Sequence, residues 1–146
     1  MGDPATLARI RWLLLGTLAF GIAGMTTELL LLGHVESAWQ WIPVAVLGVS
    51  AVILAWHAVA PSRGTVRALQ ATMVLFIVTG GIGVGLHFDG NVEFELEMYP
   101  SMGGVELISK TLTGATPVLA PGTMAMLGLV GLALVYRHPA IDERHL

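Results

Sequence analysis

Residues 37–88 read SAWQWIPVAVLGVSAVILAWHAVAPSRGTVRALQATMVLFIVTGGIGVGLHF. Among Asp, Glu, Lys and Arg, this stretch holds only Arg63 and Arg67, close together just after Pro61. A helix rises about 1.5 Å per residue and the hydrocarbon core of a bilayer is about 30 Å thick, so roughly 20 apolar residues make one crossing. The stretch therefore predicts two crossings, Trp41–Ala60 and Val66–Leu86, joined by a short basic turn. Pro61 has no N–H with which to continue a helical ladder and closes the first of them.

Two further runs flank this pair. Trp12–Thr27 is also free of the four charged types and sits inside a span expected over Ile10–Gly33. Thr111–Tyr136 is charge-free and supplies a fourth span, Thr116–Tyr136. The four tryptophans, at 12, 39, 41 and 56, fall toward span ends, where an amphipathic ring prefers the interface. The reading is an all-α integral membrane protein, a single domain over residues 1–146 with four transmembrane helices in a bundle. Arg9, Arg11 and the run Leu13–Ile22 imitate a signal peptide, but the apolar run continues to Leu32, which favours an uncleaved first span.

Composition agrees. Of 146 residues, 55% are hydrophobic and 12% charged, about half the charged share of a globular protein, and the mean hydropathy is +0.77. A soluble enzyme of this composition would lack the polar surface to cover itself. The net charge of −3 argues against nucleic acid, which needs a basic face. The absence of cysteine excludes disulfides, thiolate catalysis and Cys-ligated zinc or iron–sulfur centres.

Basic residues set the expected threading. Arg9, Arg11, Arg63, Arg67, Arg137 and Arg144 fall on one side of the four spans, and Lys110 alone falls on the other. Both termini are therefore expected in the cytoplasm. The excess of Arg over Lys, with abundant Ala, Gly, Val and Leu, suggests a GC-rich bacterium and hence its cytoplasmic (inner) membrane.

The one long connection, residues 88–115, lies outside. Val92–Met98 alternates strictly between apolar and acidic residues, which predicts an extended strand with one wet face. After Pro100 and Gly103-Gly104, Val105–Leu112 is expected to form a short interfacial helix. Asp89, Glu93, Glu95 and Glu97 offer an acidic face for a basic partner protein, or simply a solvated edge.

Glu28 stands out inside the first span, roughly 7–8 Å from its outer end. An ionisable group at that depth is costly and usually faces protein or water. Thr17, Gly21, Gly24 and Glu28 share a helical stripe whose small residues would admit a neighbouring helix. Glu28, with Thr27 beside it, is either a packing hydrogen bond or a site for a proton or cation. His34 and His87 end the first and third spans at similar depth, where they serve as interfacial side chains or as ligands for a divalent metal or haem. His57 is expected to hydrogen-bond between helices together with Ser50, and His138 and His145 to face solvent. Gly81 and Gly85 form a GxxxG pair suited to helix packing.

Three functions fit these residues. One is a non-catalytic, helix-packing subunit or accessory protein of a larger membrane complex, surrounded by lipid and by other membrane subunits or further copies of itself. A second is a small proton- or cation-coupled carrier using Glu28. A third is a haem or metal protein using His34 and His87.

Overall fold

A computed structural model describes residues 3–141 of the chain and holds five α-helices and no strand among them. The helices are α1 (Pro4–Leu31), α2 (Ala38–Val59), α3 (Arg63–Met98), α4 (Gly104–Leu112) and α5 (Gly122–Val135). Three of them, α1, α2 and α3, are long and apolar enough to cross a membrane.

Each long helix starts where a side chain satisfies its free N–H groups. Asp3 accepts from Ala5 N ahead of Pro4 at the first helical position. Ser37 and Gln40 form a reciprocal capping box on α2, and Ser62 and Thr65 form another on α3. At the far end of α1, Gly33 adopts φ +63. His34 N then bonds Leu29 O at 2.9 Å and Gly33 N bonds Leu30 O at 3.1 Å. This is a Schellman closure, and it needs the left-handed residue that glycine supplies.

Helices α1, α2, α3 and α5 pack as a ring in that order, with α4 against α3. Leu18, Ile22, Leu47, Leu54, Met73, Phe76, Leu127 and Leu134 fill the middle of the ring. The outside is also apolar: Leu13, Phe20, Leu31, Val52 and Val59 are all at least 70% exposed. Water would penalise such a surface, whereas lipid would not, so the exterior and the three long apolar helices together point to a membrane.

Helix packing within the chain uses different glycines from the expected GxxxG pair. A Cβ on Gly80 would lie 2.7 Å from Ala125 N, and one on Gly128 would lie 2.6 Å from Met73 O. These glycines let α3 and α5 approach backbone to backbone. Gly21 packs under Leu127, whereas Gly24, Gly81 and Gly85 meet nothing from elsewhere in the chain.

The outer region corrects the strand expectation. Residues 92–98 continue α3, which runs 36 residues, about 54 Å, and so extends well beyond a membrane's width. A lone strand would have left its ladder groups without partners, while a helix extension satisfies them internally. Glu, Leu and Met are good helix formers, and nothing after Gly90 interrupts them before Pro100. Pro100 then forces Tyr99 to φ −136, ψ 76 and ends the helix. The expected short helix follows as α4.

As a helix, the period-two acids separate. Asp89, Glu93 and Glu97 recur every fourth residue and are exposed on one face, while Glu95 falls opposite them and is buried. Glu95 therefore does not belong to the acidic face expected for a partner.

α5 spans only 14 residues, about 21 Å. Ahead of it, residues 117–124 wind through successive tight turns, with Ala120 N on Pro117 O, Gly122 N on Leu119 O, Thr123 N on Ala120 O and Met124 N on Pro121 O. The fourth hydrophobic run is thus part turn and part helix.

Candidate functional site

The late start of α5 leaves the ring incomplete at the end where α1 passes into α2, and a cleft of about 720 Å³ opens there. The last turns of α1, the first turns of α2, the middle of α3 and the 116–124 segment all line it. Most of the wall is apolar, from side chains such as Met25, Leu29, Trp39, Ile42 and Leu86. Pro43 also lines the cleft, inside α2, and has no N–H to offer the Trp39 carbonyl one turn earlier.

Three ionisable residues reach this cleft: Glu28, His34 and His87. Read along the sequence, Glu28 and the histidine pair look like separate features; in space they line the same cavity. The Schellman turn accounts for one half of this, because it sets His34 just past the Glu28 turn of α1. Glu28 is exposed at the cleft rather than sealed between helices. Thr27 is not its partner, since the Thr27 hydroxyl donates to Ala23 O at 2.9 Å on its own helix.

His87 Nδ1 lies 3.0 Å from the Pro117 carbonyl. A carbonyl can only accept, so Nδ1 carries the proton, and in the neutral ring Nε2 holds the lone pair. Gln40 Oε1 accepts from Glu36 N and Ser37 N, which leaves its NH₂ as the group it can offer a ligand. Among the described residues no three His, Cys, Asp or Glu side chains come together to hold a metal. A metal ion bound by His34 and His87 would need further ligands from outside that set.

The wall formed by residues 116–121 is held by Asn91, which the sequence reading missed. Its Nδ2 donates to Thr111 O at 2.9 Å and Thr116 O at 2.7 Å, and its Oδ1 accepts from Thr116 N at 3.1 Å. The side chain is 2% exposed, and Gly114 leaves the room it needs. A single Asn among apolar and acidic neighbours was the available signal, but its partners lie 20 and 25 residues away.

At the opposite end, His57 Nδ1 meets Thr65 Oγ1 at 3.0 Å, so His57 does join α2 to α3. Ser50 Oγ is buried without a hydrogen-bond partner and does not share that role. His138 is half-buried against His57, with ring centroids 5.1 Å apart, rather than free in solvent. His145 and Arg144 lie outside the described residues.

Comparison with protein-family models, with curated proteins and with solved structures found no match.

Proposed function

We propose that the chain is a four-span protein of the bacterial cytoplasmic membrane that binds a small amphipathic cation in its outer cleft, with Glu28 as the proton- or cation-coupling group of a carrier. The observation that carries this reading is the cleft itself. Its volume of about 720 Å³ falls in the range of small-molecule sites, which are mostly apolar with a few placed polar groups. Among the described residues, Glu28 is the one acidic lining residue, and neither Lys nor Arg lines the cleft. An apolar cation is therefore the ligand whose charge matches.

The fourth crossing rests on arithmetic. About 21 Å of α5 plus about 10 Å of tight turns, at about 2 Å per residue from Pro117 to Pro121, comes to about 31 Å. The threading is supported by a shared end of the bundle: Arg11, Pro61 and Pro139 line one small cavity, so the start of α1, the α2–α3 turn and the exit of α5 lie together. That is the Arg-rich end, expected in the cytoplasm.

The test is saturable binding of tetraphenylphosphonium to the purified protein, and its uptake into proteoliposomes driven by a pH gradient. Glu28→Gln is expected to weaken binding at least about tenfold and to abolish gradient-driven uptake, with helical content retained. Binding unchanged by Glu28→Gln would remove Glu28 from the mechanism. An intact protein that binds no lipophilic cation would discard the reading.

A helix-packing subunit remains a second reading. Gly81 and Gly85 lie on an open face of α3, and Asp89, Glu93 and Glu97 line the same helix beyond the membrane. Both features are available to a neighbouring membrane subunit or a second copy. Charge reversal of those three acids should then weaken co-purification of the partner.

A further inference from the structure

At the Arg-rich end a second cavity, of about 180 Å³, lies between the start of α1, the end of α2 and the exit of α5. Arg11, His57 and His138 line it, with Trp12 at its edge. No carboxylate is among its described lining residues. The nearest described acid in sequence on α1, Asp3, already accepts from Ala5 N and from the Thr6 hydroxyl.

The hydrogen bonds around the cavity leave donors over. Arg11 spends one N–H on the Arg137 carbonyl, at 3.1 Å, of the five its guanidinium carries. Ala140 N donates to His138 Nδ1 at 3.2 Å, so the neutral His138 ring carries its proton on Nε2. His57 Nδ1 faces the Thr65 hydroxyl, whose single hydrogen has two acceptors within reach, Ser62 O and His57 Nδ1. When it turns to His57, that ring too presents Nε2–H.

We propose that the Arg11–His57–His138 cavity is a phosphate-recognising site on the cytoplasmic face, taking either the headgroup phosphate of an anionic lipid or free inorganic phosphate. Arg11, His57 and His138, from three elements, line it with no carboxylate among the described lining residues, and a tetrahedral oxyanion can accept from N–H donors on all three. Burial, and then the positive charges of His57 and Arg11, hold the His138 imidazole below its ordinary pKa. An anion in the cavity would reverse the part of that effect due to charge. The cavity, about 180 Å³, has room for one phosphate group. Trp12, 65% exposed, marks the cavity as lying at interface depth, within reach of a lipid headgroup.

The full chain would be delipidated, then given either inorganic phosphate in detergent or bilayer nanodiscs of phosphatidylglycerol or phosphatidylcholine. Thermal stability reads the first arm and native mass spectrometry reads lipid retained in the second. Arg11→Gln and His138→Gln test the site, and Arg67→Gln, an exposed basic residue outside the cavity, controls for general charge. Selective retention of phosphatidylglycerol, weakened about tenfold by either site variant but not by the control, supports the lipid source. Stabilisation by inorganic phosphate with the same variant pattern supports the free anion. Neither response in the wild type, or equal loss in all three variants, overturns the site. If Arg11→Gln fails to fold, Arg11→Lys keeps the charge, and its binding relative to His138→Gln decides the same question.

Discussion

Replacing Asn91 by alanine should release the outer wall of the cleft while leaving the membrane bundle in place. Three hydrogen bonds depend on this one side chain, each contributing about 0.5–1.5 kcal/mol net. Their loss is not uniform. Thr116 is exposed, so its N–H and carbonyl can turn to water, whereas the carbonyl of the fully buried Thr111 keeps only backbone donors, Gly114 N among them at 3.4 Å. The summed cost is about 2–4 kcal/mol, confined to the local opening of residues 111–121. Hydrogen exchange in nanodiscs measures such openings directly. Peptides covering that segment should exchange roughly 30- to 1000-fold faster in Asn91→Ala, with α1 and α2 unchanged. Asn91→Asp should behave similarly, because a carboxylate can accept from Thr116 N but cannot donate to two carbonyls. Gly114→Ala should reproduce the effect from the other side, since its Cβ would lie 2.8 Å from Asn91 Nδ2. Unchanged exchange at 111–121, or acceleration spread evenly over every helix, would refute the clamp.

Glycine substitutions should separate packing positions from open ones. Gly128→Ala forces a Cβ to within 2.6 Å of the Met73 carbonyl and should cost about 1–3 kcal/mol in reversible unfolding, whereas Gly81→Ala and Gly85→Ala meet nothing within the chain and should be neutral or slightly stabilising. Acid should loosen the end of the bundle where His138 packs on His57. Because His138 is held below its ordinary pKa of about 6.5, the unfolded chain binds its proton more readily, so the stability linked to His138 is complete above about pH 6.5 and falls as pH drops toward the folded value. Thermal melts of the wild type should show that slope and those of His138→Gln should show less of it; equal slopes would contradict it. Single cysteines, introduced into a chain that has none, should label from the cytoplasmic side at Ser62 and from the outer side at Ser101. The reverse pattern would invert the threading.

The long apolar helices were legible because lipid imposes one requirement on every residue of a span, and the run from Ser37 to Phe88 meets it twice. Residues 92–98 were misread because acids at 89, 93, 95 and 97 satisfy two periods at once. Spacing of two places 93, 95 and 97 on a strand face, and spacing of four places 89, 93 and 97 on a helix face. What separates these readings is not local: α3 already carries the segment as helix, and no second strand exists to pair with it among the described residues. Which glycines pack within the chain was not legible for a related reason. Gly80, Gly81, Gly83 and Gly85 offer several close-approach faces, and only the position of α5 selects Gly80 and Gly83. Asn91 acts on carbonyls of residues far along the chain, so no window around it reveals its task.

The shortness of α5 ties these observations together. Pro117 and Pro121 delay its regular start, so one corner of the ring is turn rather than helix at its outer end. Had α5 begun as early as its apolar run allows, its side chains would have filled the space that Met25, Trp39 and Leu86 now line, and Glu28 would have been sealed against a helix. A sealed carboxylate is best kept neutral and hydrogen-bonded, a structural role. Exposed at an apolar cleft, the same carboxylate is open to a ligand. The difference between Glu28 as packing and Glu28 as a site therefore depends on where a different helix begins. Asn91 enters the same dependence without touching the cleft: it holds the turn segment that stands in for the missing helix.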